Sequence, residues 1–328
     1  VTRGLLFSFS KHLFFVVLVV CFFLHVVVEA RSASAPSSSS PAKSSASWSV
    51  AQTPARLVNG SPLLFRVAAP RAVRALSGKW LGHEIVFTFD AERKDWFVLA
   101  GVSQETKPGS YSLELIGETP TPTAPSTSSP PSAVSTAGRP LTFEKKILVA
   151  RERYPRVLLK VPGRYTAPSP EDQKEIAADK DIKTEAFKTE TTARQWRGSF
   201  GAPVKAEISD VFGVERVFNG SVQSTHQGLD FRVPSGTAVA AVNDGTVILA
   251  RPLFFEGNCI VIDHGQGLLT LYLHLSKFVV KEGNAVKKGQ EIGLSGGTGR
   301  ATGPHLHLAV RWQGVYLNPE ELLKLTLP

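Results

Sequence analysis

Cysteine is almost absent from this chain, with two among 328 residues. Cys21 lies in an apolar N-terminal run that reads as a leader, so removal of that leader leaves Cys259 alone and excludes an internal disulfide. Cys259 sits in the strand-like pattern Asn258-Cys-Ile-Val-Ile262, where a buried structural thiol is expected rather than a nucleophile. A lipoprotein signal is not expected either, because Val19-Val20 puts no small residue before Cys21. No helix-turn-helix, RNA-binding signature or aromatic-interleaved basic patch occurs, which argues against nucleic acid despite a formal charge of +9. That charge favours polyanions in general, and anionic lipid or an acidic wall polymer fits it equally well. With 42% hydrophobic and 20% charged residues, the bulk of the chain is ordinary globular material.

At the N-terminus, Arg3 and Lys11 precede an apolar run from Leu13 to Val28, followed by Glu29-Ala-Arg-Ser-Ala-Ser-Ala35. A basic region, an apolar stretch and a small-residue site make a secretory signal, so residues 1–35 are expected to be a signal peptide. Cleavage after Ala30 or after Ala33-Ser34-Ala35 fits. The alternative is an uncleaved anchor, for which the run is slightly short. The expected location is the cell envelope, periplasmic or secreted, with a membrane touched only through an uncleaved N-terminal segment.

Residues 36–47, mostly Ser, Ala and Pro, read as a flexible linker. From 48 to 168, short β-type runs alternate with turns, including Ile85-Val-Phe-Thr-Phe89, Pro108-Gly-Ser-Tyr-Ser-Leu-Glu-Leu115 and Val157-Leu-Leu-Lys-Val161. The pattern predicts an immunoglobulin-like β-sandwich. Residues 119–137, rich in Pro, Ser and Thr, read as a disordered insertion, and two separate β-modules are equally compatible. Ser169-Pro170-Glu171-Asp172 supplies a cap, a first-turn proline and acids at the positive helix end, predicting a connecting helix over 169–195 with a solvated outer face. From 196 to 328 the pattern is β again, dense in glycine. Gly236-Thr-Ala-Val239 before Gly245, echoed by Gly283-Asn-Ala-Val286 before Gly289, suggests repeated hairpins in a small antiparallel fold. The fold class is therefore mostly β.

The chemistry concentrates in the last third. His226-Gln-Gly-Leu-Asp230 puts an imidazole and a carboxylate on one side of an extended chain, with Gly228 between them for close backbone approach. Tyr272-Leu-His274 ends another strand pattern. In His305-Leu-His307-Leu-Ala-Val310 both imidazoles face one way while Leu306 and Leu308 face the other. Imidazole and carboxylate are good zinc ligands, and a catalytic zinc takes three protein ligands plus a water. Two histidines then remain to move protons or stabilise charge.

The order H-x-G-x-D, Y-x-H and Gly299-Arg-Ala-Thr-Gly-Pro-His-Leu-His307 resembles the lysostaphin/LytM-type zinc endopeptidases that cut cell-wall peptides. The resemblance runs from Phe200 to about Leu323 and includes Ser209-Asp-Val-Phe-Gly213 and Lys288-Gly-Gln-Glu-Ile-Gly293. It implies an antiparallel β domain with an open groove, preceded by an accessory domain. It implies one Zn²⁺ per peptidase domain, held by His226, Asp230 and His307, with His274 and His305 as catalytic non-ligands. The implied substrates are peptidoglycan stem peptides or cross-bridges, and cell-envelope division or wall-remodelling proteins are candidate partners.

Two other readings compete. A catalytically silent wall-binding or hydrolase-activating module of the same fold loses metal ligands, and this chain keeps all five positions. A lipoyl- or biotin-carrier-like domain needs a lysine at a hairpin tip, where Asn243-Asp244-Gly245 stands. Among neighbouring residues, His264 is expected to be structural or at the rim, Tyr272 a packing residue with a wet hydroxyl in preference to a groove-lining one, Asn219 a residue near the site, and Arg300 a solvated loop arginine in preference to a contact for an acidic substrate group.

Overall fold

Short strands with one buried face build the N-terminal half of a computed structural model that describes residues 47–120, 139–189, 191–220 and 222–328. The expected signal peptide 1–35, nearly all of the linker 36–47 and residues 121–137 of the expected insertion lie outside the described residues.

Ser49–Thr53, Pro62–Ala68, Asp95–Gly101 and Thr88–Asp90 form one antiparallel sheet in that spatial order. Leu57–Val58, Leu141–Ala150, Gly109–Glu118, Ala75–Trp80 and His83–Val86 form a second sheet, antiparallel except where Leu57–Val58 runs parallel to Leu141–Ala150. Alternation does the sorting: in Gly109–Glu118, Leu113 and Leu115 are buried while Glu114 and Ile116 face out. Between the sheets Phe65 meets Trp80 edge-on at 5.3 Å. The buried Trp80 indole N–H donates to the Gly101 carbonyl at 2.9 Å, so burial of the ring strands no polar group. The result is a β-sandwich.

Arg156–Leu159, expected among the sandwich strands, pairs elsewhere. It runs parallel to Glu215–Phe218, which turns back antiparallel into Val222–Thr225. Two anchors redirect it. Glu215 N–H donates to the Pro155 carbonyl, and the Tyr154 ring packs over Gly213, where a Cβ would lie 2.2 Å from the ring. Gly213 has φ +88°, so only glycine fits both the turn and the overlying ring.

The C-terminal half is a curled antiparallel sheet. Its order is Ile208–Asp210, Gly228–Phe231, Leu306–Trp312, Leu268–Leu275, Gly257–Asp263, Gly245–Leu253 and Ala285–Val286, with Val315–Leu317 beside Leu306–Trp312. One face sends Leu229, Leu306, Leu308, Val310 and Tyr272 into a core continuous with the sandwich. Phe97 packs against Trp196, and Asn318 N–H donates to the Gly60 carbonyl.

The other face carries Leu249, Cys259, Val261, Leu269, Leu271 and Ala309. The helix Pro170–Ala186 covers it. Ser169 and Asp172 form a reciprocal capping box, and Pro170 opens the first turn. Ile182, Ala186 and Phe187 then pack onto the sheet. Asp179 is buried and accepts from Phe254 N–H at 2.6 Å, while Lys183 pairs with Glu256. The helix ends at Ala186 rather than near 195. Thr189, Thr191 and Thr192 are β-branched, and the following backbone is drawn into bonds with the sheet: the Thr191 carbonyl accepts from Gln266, and Gln195 N–H donates to the His264 carbonyl. Among the described residues no helix is long and apolar enough to cross a membrane.

Candidate metal centre and its groove

Antiparallel pairing sets Asp230 directly opposite His307, on Gly228–Phe231 and Leu306–Trp312. His226 enters from the preceding turn, tied by backbone bonds to Gly213 and Val214. The ligand-type atoms converge. His226 Nε2 lies 3.0 Å from Asp230 Oδ1 and 3.0 Å from His307 Nδ1, and His307 Nδ1 lies 2.7 Å from Asp230 Oδ1. All three side chains are buried. Gly228 is required for this approach: a Cβ there would stand 2.3 Å from His307 Nε2 and 2.6 Å from the Leu308 carbonyl oxygen. The glycine between the first two motif residues thus makes room for the third.

The donor set fits a cation. The Val211 carbonyl, at 2.7 Å from His226 Nδ1, can only accept, so Nδ1 carries the proton and Nε2 presents a lone pair. That lone pair faces a carboxylate oxygen at 3.0 Å, an arrangement a metal resolves. Burial pushes the His307 imidazole down to about 4, leaving it neutral at pH 7. Two imidazoles and a carboxylate are the ligand set of an open zinc site.

Arg216, not singled out in the sequence, holds the ligand carboxylate from behind. Its Nη2 donates to Asp230 Oδ2 at 2.7 Å and to Asp210 Oδ2 at 2.6 Å. Asp230 is thereby oriented with Oδ1 toward the two histidines. Only the motif surroundings of Asp210 were visible beforehand. The Arg216 role depends on a hairpin fold-back that spacing does not encode.

His274 and His305 stand beside the triad, their ring centroids 4.7 Å apart. His274 adopts φ +63°, a left-handed conformation uncommon for a non-glycine residue, at the end of Leu268–Leu275. Its N–H donates to the Glu256 carbonyl, and its Nδ1 lies 2.8 Å from the Thr298 carbonyl oxygen. Burial, followed by the neighbouring His305 and His307, pushes its imidazole down to about 3. His305 is more open. Its Nδ1 lies 2.8 Å from the Gly303 carbonyl oxygen and its Nε2 3.9 Å from Asp230 Oδ1. Both rings therefore spend Nδ1–H on a carbonyl and leave Nε2 without a hydrogen-bond partner among the described residues.

These residues line a groove of about 420 Å³ whose walls include Val157, Leu159, Phe218, Arg232, Arg300 and Pro304. A second cleft of about 150 Å³ reaches His226 and His307 and shares Arg216, Phe218, His274 and Arg300 with the first.

The remaining expectations divide. His264 is fully buried and structural, its Nδ1 2.6 Å from the Asp244 carbonyl oxygen and its Nε2 2.8 Å from Thr270 Oγ1. Cys259 is buried, and burial pushes its thiol up. The Tyr272 hydroxyl is dry rather than wet: it accepts from Val242 N–H at 2.9 Å inside the core. Asn219 does not line the groove. Its side chain bonds both backbone groups of Val161, pinning the end of Arg156–Leu159. Arg300 is not a solvated loop residue either. It lies between the rings of Phe218 and Phe255, 4.7 Å from each centroid.

Comparison with known proteins agrees with this geometry. Residues 224–319 match the profile of Peptidase family M23. The peptidoglycan DD-endopeptidase ShyA of Vibrio cholerae is 48% identical over 103 residues, covering 31% of this chain and 23% of that protein. The DD-carboxypeptidase/endopeptidase Mpg of Neisseria meningitidis serogroup B is 46% identical over 127 residues, covering 38% of this chain and 29% of that protein. The similarity thus spans about a quarter of the length of these curated relatives. A crystal structure from Pseudomonas aeruginosa assigned to peptidase M23 superposes with a TM-score of 0.58 at 26% identity, covering 82% of this chain and 95% of that one. The strand pairing that brings His226, Asp230 and His307 together falls inside the matched segment, and residues 224–319 of this chain are a peptidase family M23 domain.

Proposed function

We propose that this protein is a zinc-dependent endopeptidase of the cell envelope that hydrolyses peptide cross-links of bacterial peptidoglycan. The observation that carries the reading is the meeting of His226 Nε2, Asp230 Oδ1 and His307 Nδ1 where two adjoining clefts meet, Asp230 lining one and His226 and His307 the other, beside the imidazoles of His274 and His305. Zinc bound there supplies a polarising Lewis acid and a water acidic enough to attack at neutral pH. His305, the more exposed of the two, takes the attacking water's proton on Nε2 and returns it to the leaving amine. His274, fixed by its Nδ1–H on the Thr298 carbonyl, accepts a hydrogen bond on Nε2 and orients that water. The relative named as a peptidoglycan endopeptidase supports the substrate class, and a peptidoglycan substrate in turn implies the envelope location.

Zinc-loaded protein incubated with purified peptidoglycan is expected to release muropeptides with new peptide ends, identified by mass spectrometry. The His305→Ala protein should release them at least about a hundredfold more slowly. Absence of products from folded, zinc-loaded wild type overturns the reading in favour of a silent binding module.

The N-terminal half completes the groove in this reading, since Val157 and Leu159 form part of its wall and the two halves share one core. Deletion of everything before Trp196 is expected to lower thermal stability and wall hydrolysis together. Unchanged hydrolysis and wall binding by the truncated protein sinks the idea.

A further inference from the structure

Arg300 is built like a receptor. Its guanidinium lies between Phe218 and Phe255 at 4.7 Å from each ring centroid, and it borders both clefts that meet at the metal centre. Contact with two aromatic rings restrains the guanidinium before any ligand arrives. Among the described residues it forms no ion pair and no side-chain hydrogen bond. Of the acids nearby, Asp210 and Asp230 hold Arg216, and Glu256 pairs with Lys183 through Oε1 while its Oε2 is buried without a hydrogen-bond partner. A restrained, partly desolvated fork with no protein partner for its donors among the described residues, opening on a substrate groove, matches a planar anion bound by two parallel N–H···O bonds.

Resting on the proposed hydrolysis, we propose that Arg300 reads a free carboxylate on a residue flanking the scissile bond. It thereby makes the enzyme selective for cross-links that carry that carboxylate over those in which it is a carboxamide or is missing, as in a glycine bridge. Arg216 is no substitute, because its donors are committed to Asp210 and Asp230. Arg232 lines the groove from its exposed edge and lacks the aromatic clamp. Arg300 is a specificity residue here, not one that handles the reacting atoms.

The test uses two cross-linked peptides identical except that the flanking carboxylate of one is a carboxamide in the other. Each is given to the zinc-loaded full chain, and kcat and KM are measured separately. Wild type is expected to favour the carboxylate peptide by about tenfold or more in kcat/KM, mainly through KM, the scale set by a charge-assisted bidentate contact. Arg300→Gln should bring that ratio close to one while zinc content stays at wild-type level. Arg300→Lys, which keeps the charge and loses the planar fork, should fall between, and it carries the test if the Gln protein does not fold. Equal cleavage of both peptides by wild type overturns this inference and leaves the hydrolysis standing. A preference that survives in Arg300→Gln overturns it too. Failure of wild type to cut either peptide overturns the proposed hydrolysis, and this inference with it.

Discussion

His307→Ala is expected to remove zinc binding and hydrolysis together. The side chain supplies one of three converging donor atoms, and its Nδ1 lies 2.7 Å from Asp230 Oδ1 and 3.0 Å from His226 Nε2. Losing a ligand should weaken zinc by more than the roughly 10–100-fold typical of losing an outer-shell partner. Hydrolysis should fall to background at any zinc concentration the substrate tolerates. Gly228→Ala should act on the same quantity from the opposite strand, because its new methyl meets the imidazole at 2.3 Å and the Leu308 carbonyl behind it. The ring must shift, so zinc affinity should drop although every ligand remains. Competition against a chromogenic chelator measures both. Tight zinc binding by His307→Ala contradicts the ligand set. Unaltered affinity in Gly228→Ala contradicts the account of why glycine stands there.

The parts of the site legible in sequence were those governed by local periodicity. Alternation along His305-Leu-His307 places the two imidazoles on one face, and the structure sends Leu306 and Leu308 into the core on the other. Gly228 was readable as a point of close approach, but not as room for the ring of a residue far along the chain. Pairing decides that, and only the register of Gly228–Phe231 against Leu306–Trp312 makes Gly228 and His307 neighbours. The same limit explains Arg216 and Arg300. Each is an ordinary basic residue in a loop or hairpin until folding sets a carboxylate or two aromatic rings beside it. Arg156–Leu159 misled for a related reason. A short apolar run has no mark of which sheet it joins, and tethering by Pro155 and Asn219 decides the matter. The helix start was explicit in Ser169-Pro170-Glu-Asp172, whereas its end depends on the threonines and on backbone bonds to a distant turn.

The two non-ligand histidines differ enough in setting to be separated kinetically. His305→Ala should lower kcat by about 10²–10⁴-fold, the usual contribution of a general acid–base group, with little change in KM. Zinc affinity should stay close to wild type, because His305 Nε2 is 3.9 Å from Asp230 Oδ1 and outside the converging donor set. At His274 alanine is the wrong probe, since φ +63° adds backbone strain to the loss of the ring. Asparagine tolerates the left-handed region and is the cleaner substitution. His274→Asn should therefore lower kcat while melting close to wild type, and its loss should be smaller than that of His305→Ala. A residue that orients the water leaves the proton acceptor in place, whereas removal of the acceptor itself does not. Equal losses at the two positions would mean that proton transfer is shared between them. A larger loss at His274 would reverse the assignment, making the buried ring the base and the open one the orienting group.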